Sequence, residues 1–397
     1  MGRRALIAGA GIGGLAAALA LARQGFRVDV FERAPALQEL GAGLQLTPNA
    51  TRALRELGAL EAIGALATEP GALRVLRGAD GGELAHLPIG DAERRWGAPY
   101  LAIHRADLQR TLAEAATAAG ANLHLATEIV GVDDAANEAS LTLRRDGVES
   151  RERGDLLIGA DGLHSPTRAL SGLGEAEAPR FSGKLAFRAT VAAERVAPRA
   201  RANEITLRLG ASAHLVHYPL RAGSLVNLVA AIEASWRDPP DSEAPDDPWD
   251  AEGDRPALDR AFADWSGDAR ALIAAPTQWR AWPLYTRPPL PRFARGRVAL
   301  IGDAAHPMTP FLAQGAAQAI EDAEALARRL GEHKDIERAL SAYSDNRIER
   351  AARIQREALA QGRLFHLDGP LAVARDLSIA ALGPEGVLRR LGWLYAA

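Results

Sequence analysis

Apolar and polar positions follow two patterns along this chain. In the first, short wholly apolar runs alternate with helical stripes. Arg4 to Ala8 reads as a buried strand that runs into Gly9-Ala10-Gly11-Ile12-Gly13-Gly14. A helix follows with Leu15, Ala18, Leu19 and Ala22 on one stripe, and Gly25 stops it. Arg27 to Phe31 is the next strand, closed by Glu32. Gly41 and Gly43 mark a backbone passing close to something, and Pro48-Asn49 introduce a helix over residues 50–57. Residues 102–116 read as a helix entered at His104-Arg105, with Asp107 near its start. Residues 123–125, 129–132, 141–143 and 155–159 are strand candidates. The same pattern returns at 297–301, a strand that gives way to a proline loop and then a helix from Gly315.

The second pattern is the period-2 alternation of half-buried strands. It covers residues 184–193, 204–209, 214–220 and 225–233, with 221–224 as a hairpin turn and 236–256 as a surface loop. The expected fold is α/β. A discontinuous, Rossmann-like dinucleotide-binding domain over 1–180 and 285–345 receives an inserted mixed β-sheet domain over 181–284. Residues 331–362 extend as arginine-rich helix, and 346–397 form a C-terminal helical segment carrying Trp393 and Tyr395.

Composition narrows the function classes. The 397 residues are 48% apolar and 24% charged, which is ordinary for a globular protein. A formal charge of −3 gives no basic field for nucleic acid. Cysteine is absent, which excludes disulfides, thiolate metal sites and a cysteine nucleophile. None of the nine histidines falls in a metal-ligand spacing. The N-terminal apolar run is too glycine-rich for a signal peptide or a membrane span, so the expectation is a cytoplasmic protein with no membrane partner.

The first strand, glycine turn and helix fit the dinucleotide fingerprint. Gly9 makes the tight turn, Gly11 allows a pyrophosphate close to the backbone, and Gly14 lets helix and strand pack. Glu32 lies where a carboxylate holds a ribose 2′-hydroxyl, which favours NAD or FAD over a 2′-phosphate. In the late motif Asp303 ends a strand, and the helix start at Gly315 offers unpaired N–H groups to an anionic ligand.

Three segments together resemble the class A FAD-dependent aromatic monooxygenases. They are GAGIGG with Glu32, GADGLHSPTR over 159–168, and GDAAHPMTPFLAQGAAQAIED over 302–322. Within that family the chain looks most like the salicylate and 3-hydroxybenzoate hydroxylase branch. The resemblance implies FAD as cofactor and NADH or NADPH as a visiting co-substrate, with O2 and a small aromatic acid consumed. It implies a monomer or homodimer. Gly9, Gly11, Gly13 and Gly14 would cradle the FAD pyrophosphate, with Glu32 on the ribose and Arg33 beside the adenine. Gln45 and Arg105 would lie near the flavin, and Asp161 would belong to a motif shared by FAD and the nicotinamide cofactor. Asp303 would hold ribityl or ribose hydroxyls, and Gly315 and Ala316 would offer N–H groups to the ring.

Hydroxylation of a phenol needs a base or proton relay at its hydroxyl. His214 and Tyr218 share one face of a strand, their Cα atoms about 13 Å apart, while His217 points away. By pattern alone Tyr218 is core and His214 a rim residue. Related hydroxylases carry a His and a Tyr at this spacing, so the resemblance makes them the catalytic candidates. His306 reads as structural, and His164 as a solvated loop residue. Gln318 stands where an apolar residue is common and Phe293 where tryptophan is frequent, which puts packing near the flavin in question. Two other readings stand beside this one: a 6-hydroxynicotinate-type hydroxylase, disfavoured by Gln45 where those relatives carry histidine, and a FAD-binding redox module that does not hydroxylate.

Overall fold

The computed structural model describes residues 2–37, 42–135, 137–174, 178–236 and 253–396. Gly41 and most of the surface loop expected over 236–256 lie outside them. One layer is a six-stranded sheet ordered Ala294–Arg295, Val298–Leu300, Leu156–Gly159, Arg4–Ala8, Arg27–Phe31, Asn122–His124. Every pairing is parallel except the first. Parallel strands buried on both faces need continuous apolar runs, and ALIA, LLIG and VAL are such runs. The Ile12–Arg23 and Gly315–Glu332 helices cover one face and pack on each other. Gly13 permits that contact, because a Cβ there would come within 3.1 Å of the Ala319 Cβ.

The second layer is a seven-stranded sheet ordered Arg280–Thr286, Arg180–Ala192, Leu225–Glu233, Ala213–Leu220, Glu204–Gly210, Ala72–Arg77, Glu83–Pro88. The last two strands come from outside 181–284. They join because Ala72–Arg77 pairs parallel with Glu204–Gly210. The boundary expected at 181 therefore leaves out a hairpin that completes the inserted sheet. One face of this sheet, with Tyr218, Leu220, Ala231 and Trp282, packs on Phe311, Ile354, Leu388 and Tyr395. The other, with Phe187, Leu215 and Leu228, packs on Phe262, Trp265 and Leu272.

Two local readings change. Leu101–His104 is a strand paired with Gly43–Leu46, and the helix runs from Arg105 to Ala118. The arginine-rich helix is two: Gly315–Glu332 ends before His333, and Asp335 caps Ile336–Phe365 through the Arg338 N–H at 2.8 Å. A final helix, Gly369–Tyr395, turns at Gly383-Pro384.

A buried ionic cluster joins these helices. Arg347, 4% exposed, donates to Glu321 at 2.6 Å, Asp322 at 2.7 Å and the Gln318 side-chain oxygen at 2.7 Å. Arg350 adds two bonds to Glu321, at 2.9 and 3.0 Å. The other Asp322 oxygen accepts the Gly302 N–H at 2.8 Å and lies 2.6 Å from His306 Nε2. Burial pushes both carboxyls up, but the cations win. Arg347 and Arg350 hold Glu321 down to about 2, and His306 and Arg347 hold Asp322 there too.

Carboxyls whose folded pKa is depressed give stability that is complete above their unfolded values and is lost as pH falls through the folded ones. The unfolding midpoint should therefore drop between about pH 4.5 and 2. At pH 7, Arg347→Met should cost about 3–5 kcal/mol, since it strands two buried carboxylates. A denaturation series against pH checks both. A flat midpoint across that window, or a variant within about 1 kcal/mol of the parent by the same stability measure, would show the cluster to be energetically idle.

Candidate active site

The three motifs emerge at one edge of the parallel sheet. Arg4–Ala8, Leu156–Gly159 and Val298–Leu300 are neighbours running the same way, so Gly9–Gly14, 160–167 and 302–314 all leave their C-terminal ends. That edge is where open α/β sheets bind ligands. Gly9 has φ +96°, and a Cβ there would lie 2.6 Å from the Ala160 carbonyl oxygen, so it joins the first two loops. A Cβ on Gly14 would lie 2.0 Å from the Gly9 oxygen. Gly11 and Gly315 differ: a Cβ on either meets nothing within 4 Å. Both begin helices that have no side-chain cap and no acid in the first turn, which leaves first-turn N–H groups without a side-chain cap.

Glu32 accepts from the Ala10 N–H at 2.8 Å and the Ala34 N–H at 2.9 Å, bracing the glycine turn. Arg33 is exposed beside it. Asp161 accepts from the Ser165 hydroxyl and the Thr167 N–H, the latter at 2.9 Å, and burial raises its pKa. Asp303 is open to solvent by area, yet protein crowds it closely enough for desolvation to raise its pKa against His306 and Arg105. An acid both wet and desolvated lines a concave cleft rather than a convex surface. Arg105, at the start of its helix, is thereby placed near Asp303. These residues fit FAD: two open helix starts for its phosphates and ring, and acids for its hydroxyls.

The inserted sheet brings its polar groups against this edge. Tyr100 donates to the Gln45 side-chain oxygen at 2.7 Å. Tyr218 is 2% exposed, and burial pushes its hydroxyl up strongly, against Arg188 and Gln45. The Gly43 N–H donates to Asn227 Oδ1 at 2.7 Å, and a Cβ on Gly43 would lie 2.8 Å from the Tyr218 ring. The backbone expected to pass close to something at Gly43 passes Tyr218. Tyr395, from the last helix, stands edge-on to Tyr100 with ring centres 6.0 Å apart. Burial raises its pKa to about 12, against a bond with Tyr100.

His214 shares the Tyr218 face, edge-on to Phe311 and Phe365, and its Nδ1 lies 2.8 Å from His366 Nε2. Burial, with His366 and Lys184, holds it well below the usual histidine value. His217 lies on the opposite face, where burial and then Arg208 push it down to about 3. His306 is fully buried against Asp322, and His164 is exposed. Gln318 belongs to the ionic cluster: it donates to Gln314 at 3.0 Å and Glu321 at 2.9 Å and accepts from Arg347. Phe293 packs beside His306 with ring centres 5.4 Å apart. Both departures are thus accommodated. The sequence assigns no role to Tyr100, Asn227, His366 or Tyr395, and none of them lies in the three segments that carry the resemblance.

The chain belongs to a known family, since the family model described as "FAD binding domain" matches residues 3–358. It therefore has the fold and cofactor of the flavin-dependent hydroxylases. A 3-hydroxybenzoate 6-hydroxylase from Aquipseudomonas alcaligenes is 38% identical over 400 residues, covering 98% of this chain and 96% of that one. Salicylate hydroxylase from Pseudomonas putida is 37% identical over 419 residues, covering 99% and 91%. Among solved structures, Klebsiella pneumoniae HpxO complexed with FAD and uric acid superposes with a TM-score of 0.86 at 25% identity, covering 98% of this chain and 96% of that one.

If Gln318 is a strut of the ionic cluster, Gln318→Met should destabilise the protein by about 1–3 kcal/mol, because Arg347, Gln314 and Glu321 each lose a partner. Chemical denaturation measures this. A variant as stable as the parent would mean that methionine packing repays the lost bonds.

Proposed function

We propose that this flavin-dependent aromatic hydroxylase acts on a small hydroxybenzoate, 3-hydroxybenzoate or salicylate, with NADH or NADPH and O2 as co-substrates. The observation that carries it is one of position. Three loops fit for FAD leave one sheet edge, and Phe311 in the last of them touches His214, which shares a strand face with Tyr218. FAD, when bound, supplies the two-electron chemistry and the activation of O2. Gly9, Gly11, Gly13, Gly14, Glu32 and Arg33 hold its adenosine and pyrophosphate end. Arg105, Asp161, Asp303, Gly315, Ala316 and Gln45 hold the flavin end.

His214 and Tyr218 act on the substrate. Tyr100 takes one lone pair of the Gln45 oxygen, and Gln45 also lies close enough to the Tyr218 hydroxyl to oppose the rise of its pKa. In this reading Tyr218 donates its hydrogen to the substrate oxygen, and its raised pKa keeps that hydrogen in place at neutral pH. His214 is neutral at pH 7 and has its Nδ1 engaged, which leaves Nε2 to take the phenolic proton. The apolar cluster around both excludes water. Gln45 sits within this bonding pattern, which favours a hydroxybenzoate over a hydroxynicotinate.

Purified protein should be yellow, and 3-hydroxybenzoate or salicylate should accelerate its NADH oxidation and appear as a dihydroxylated product. His214→Ala should slow hydroxylation about 10²-fold or more with FAD content unchanged, and Tyr218→Phe should also slow it. Chromatography of the products and absorbance of bound flavin give both readings. No response to either acid would remove the substrate assignment, and parental turnover in both variants would move the base elsewhere.

A further inference from the structure

His214 makes a poor resting place for a proton. It is buried, its neighbours are Phe311 and Phe365, and imidazolium there would be desolvated and near Lys184. A base that cannot keep a proton must hand it on. The structure shows a recipient on the side of the ring away from Nε2. His366, in the turn between the last two helices, holds its Nε2 2.8 Å from His214 Nδ1. Its own Nδ1 is buried without a hydrogen bond and lies 3.4 Å from the Glu233 carboxylate oxygen that Lys184 also bonds, so the last link closes only by a small side-chain movement. Glu233 is the last residue of its strand and 46% of its side chain is exposed, so the series ends in water.

The surroundings leave this path open and close others. Lys184, directly across the strand pair from Glu233, bonds its carboxylate at 2.9 Å and, against burial, keeps it ionised, so a proton reaching it is released readily to water. From the last helix Arg375 donates to the Phe365 carbonyl at 3.1 Å, but its charge is paired with Asp376 at 2.8 Å. Asp376 is shared with Arg77 at 3.1 Å. The His366 carbonyl accepts the Ser212 N–H at 3.1 Å, and the Glu233 N–H bonds the Ser212 carbonyl at 2.9 Å, so the backbone holds both groups in register.

We propose that His366 and Glu233 form a proton exit from the active site, His214 passing the substrate's phenolic proton to His366 and His366 passing its own to Glu233. The phenol O–H bond breaks as an N–H bond forms at His214 Nε2. His214 Nδ1 gives its proton to His366 Nε2, and His366 Nδ1 gives its proton to the Glu233 carboxylate. Each imidazole stays neutral overall and changes tautomer. Reversal of the path delivers a proton to the product and restores both rings. Neither histidine has to store a charge, which is what their low pKa values require, His366 being held at about 4 by burial and Lys184 against Glu233.

This rests on His214 being the base, and the experiment separates the two ideas. In FAD-loaded enzyme turning over 3-hydroxybenzoate or salicylate, whichever the parental protein hydroxylates, kcat is measured from pH 6 to 9 for the parent, His366→Gln, Glu233→Gln, Glu233→Asp and His214→Ala. Glutamine at 366 still accepts the His214 N–H but cannot pass a proton through. His366→Gln should lose about tenfold or more in kcat at pH 7 with KM within about twofold. Its rate should then climb nearly tenfold per pH unit toward the phenol's own pKa of about 10, while the parent stays nearly flat. Glu233→Gln should behave the same way, and Glu233→Asp should restore a flat profile. A merely structural His366 would alter KM, melting or flavin content and leave the pH slope unchanged. A slow His214→Ala beside a His366→Gln of parental rate and profile overturns the exit alone. A parental His214→Ala overturns the base and with it the exit.

Discussion

Arg347 carries two carboxylates in a place where neither could stand alone. Moving one carboxylate into a protein interior costs several kcal/mol even after relaxation, and Glu321 and Asp322 are adjacent on one helix. The guanidinium fork meets that cost by reaching both, with Arg350, Gln318 and Asn49 also donating to Glu321, and the Gly302 N–H and His306 meeting Asp322. What the cluster fixes is the start of the late helix. Asp322 reaches back to the Gly302 N–H, and Gln318 reaches back to Gln314. The strand end, the proline loop and the open helix start at Gly315 are therefore held by one set of bonds. The loop cannot shift without stranding a charge.

Much of this is legible in the order of residues because it is periodic or local. Arg4–Ala8 and Arg27–Phe31 form with the bounds their apolar runs suggest, and the glycine turn between them has the steric logic its spacing implies. The hairpin at Ala72–Pro88 is not legible, for two physical reasons. A register shift between Val75 and Leu76 breaks its alternation, and its partner strand lies more than a hundred residues away. Leu101–His104 is too short for periodicity to separate strand from helix.

The site divides the same way. Glycines and acids at strand ends announce themselves, since their work is local. Arg347 and His366 do not. The first sits in an arginine-rich helix and looks like one more solvated charge, until packing buries it. The second acts through a partner 152 residues away. Gln318 shows the converse: a residue that looks out of place in one dimension is satisfied in three.

Shared architecture does not decide the substrate. HpxO bound to uric acid and a salicylate hydroxylase substrate complex both superpose on this chain, with TM-scores of 0.86 and 0.82, although their ligands differ in kind. Discrimination between substrates must come from individual side chains rather than from the fold. Several of these are contributed by distant segments. Tyr395 reaches Tyr100 because the end of the last helix is pinned. Arg350 donates to the carbonyls of Trp393 and Leu394 at 3.2 and 2.8 Å, and Arg52 to that of Tyr395 at 3.3 Å. These are the carbonyls a helix end leaves unpaired. Arg350 also holds Glu321, so the cluster that fixes the Gly315–Glu332 helix fixes this wall too. One group of buried charges thus holds both the late helix start and the end of the last helix, while Tyr100, Tyr218 and Asn227 lie outside its hydrogen bonds.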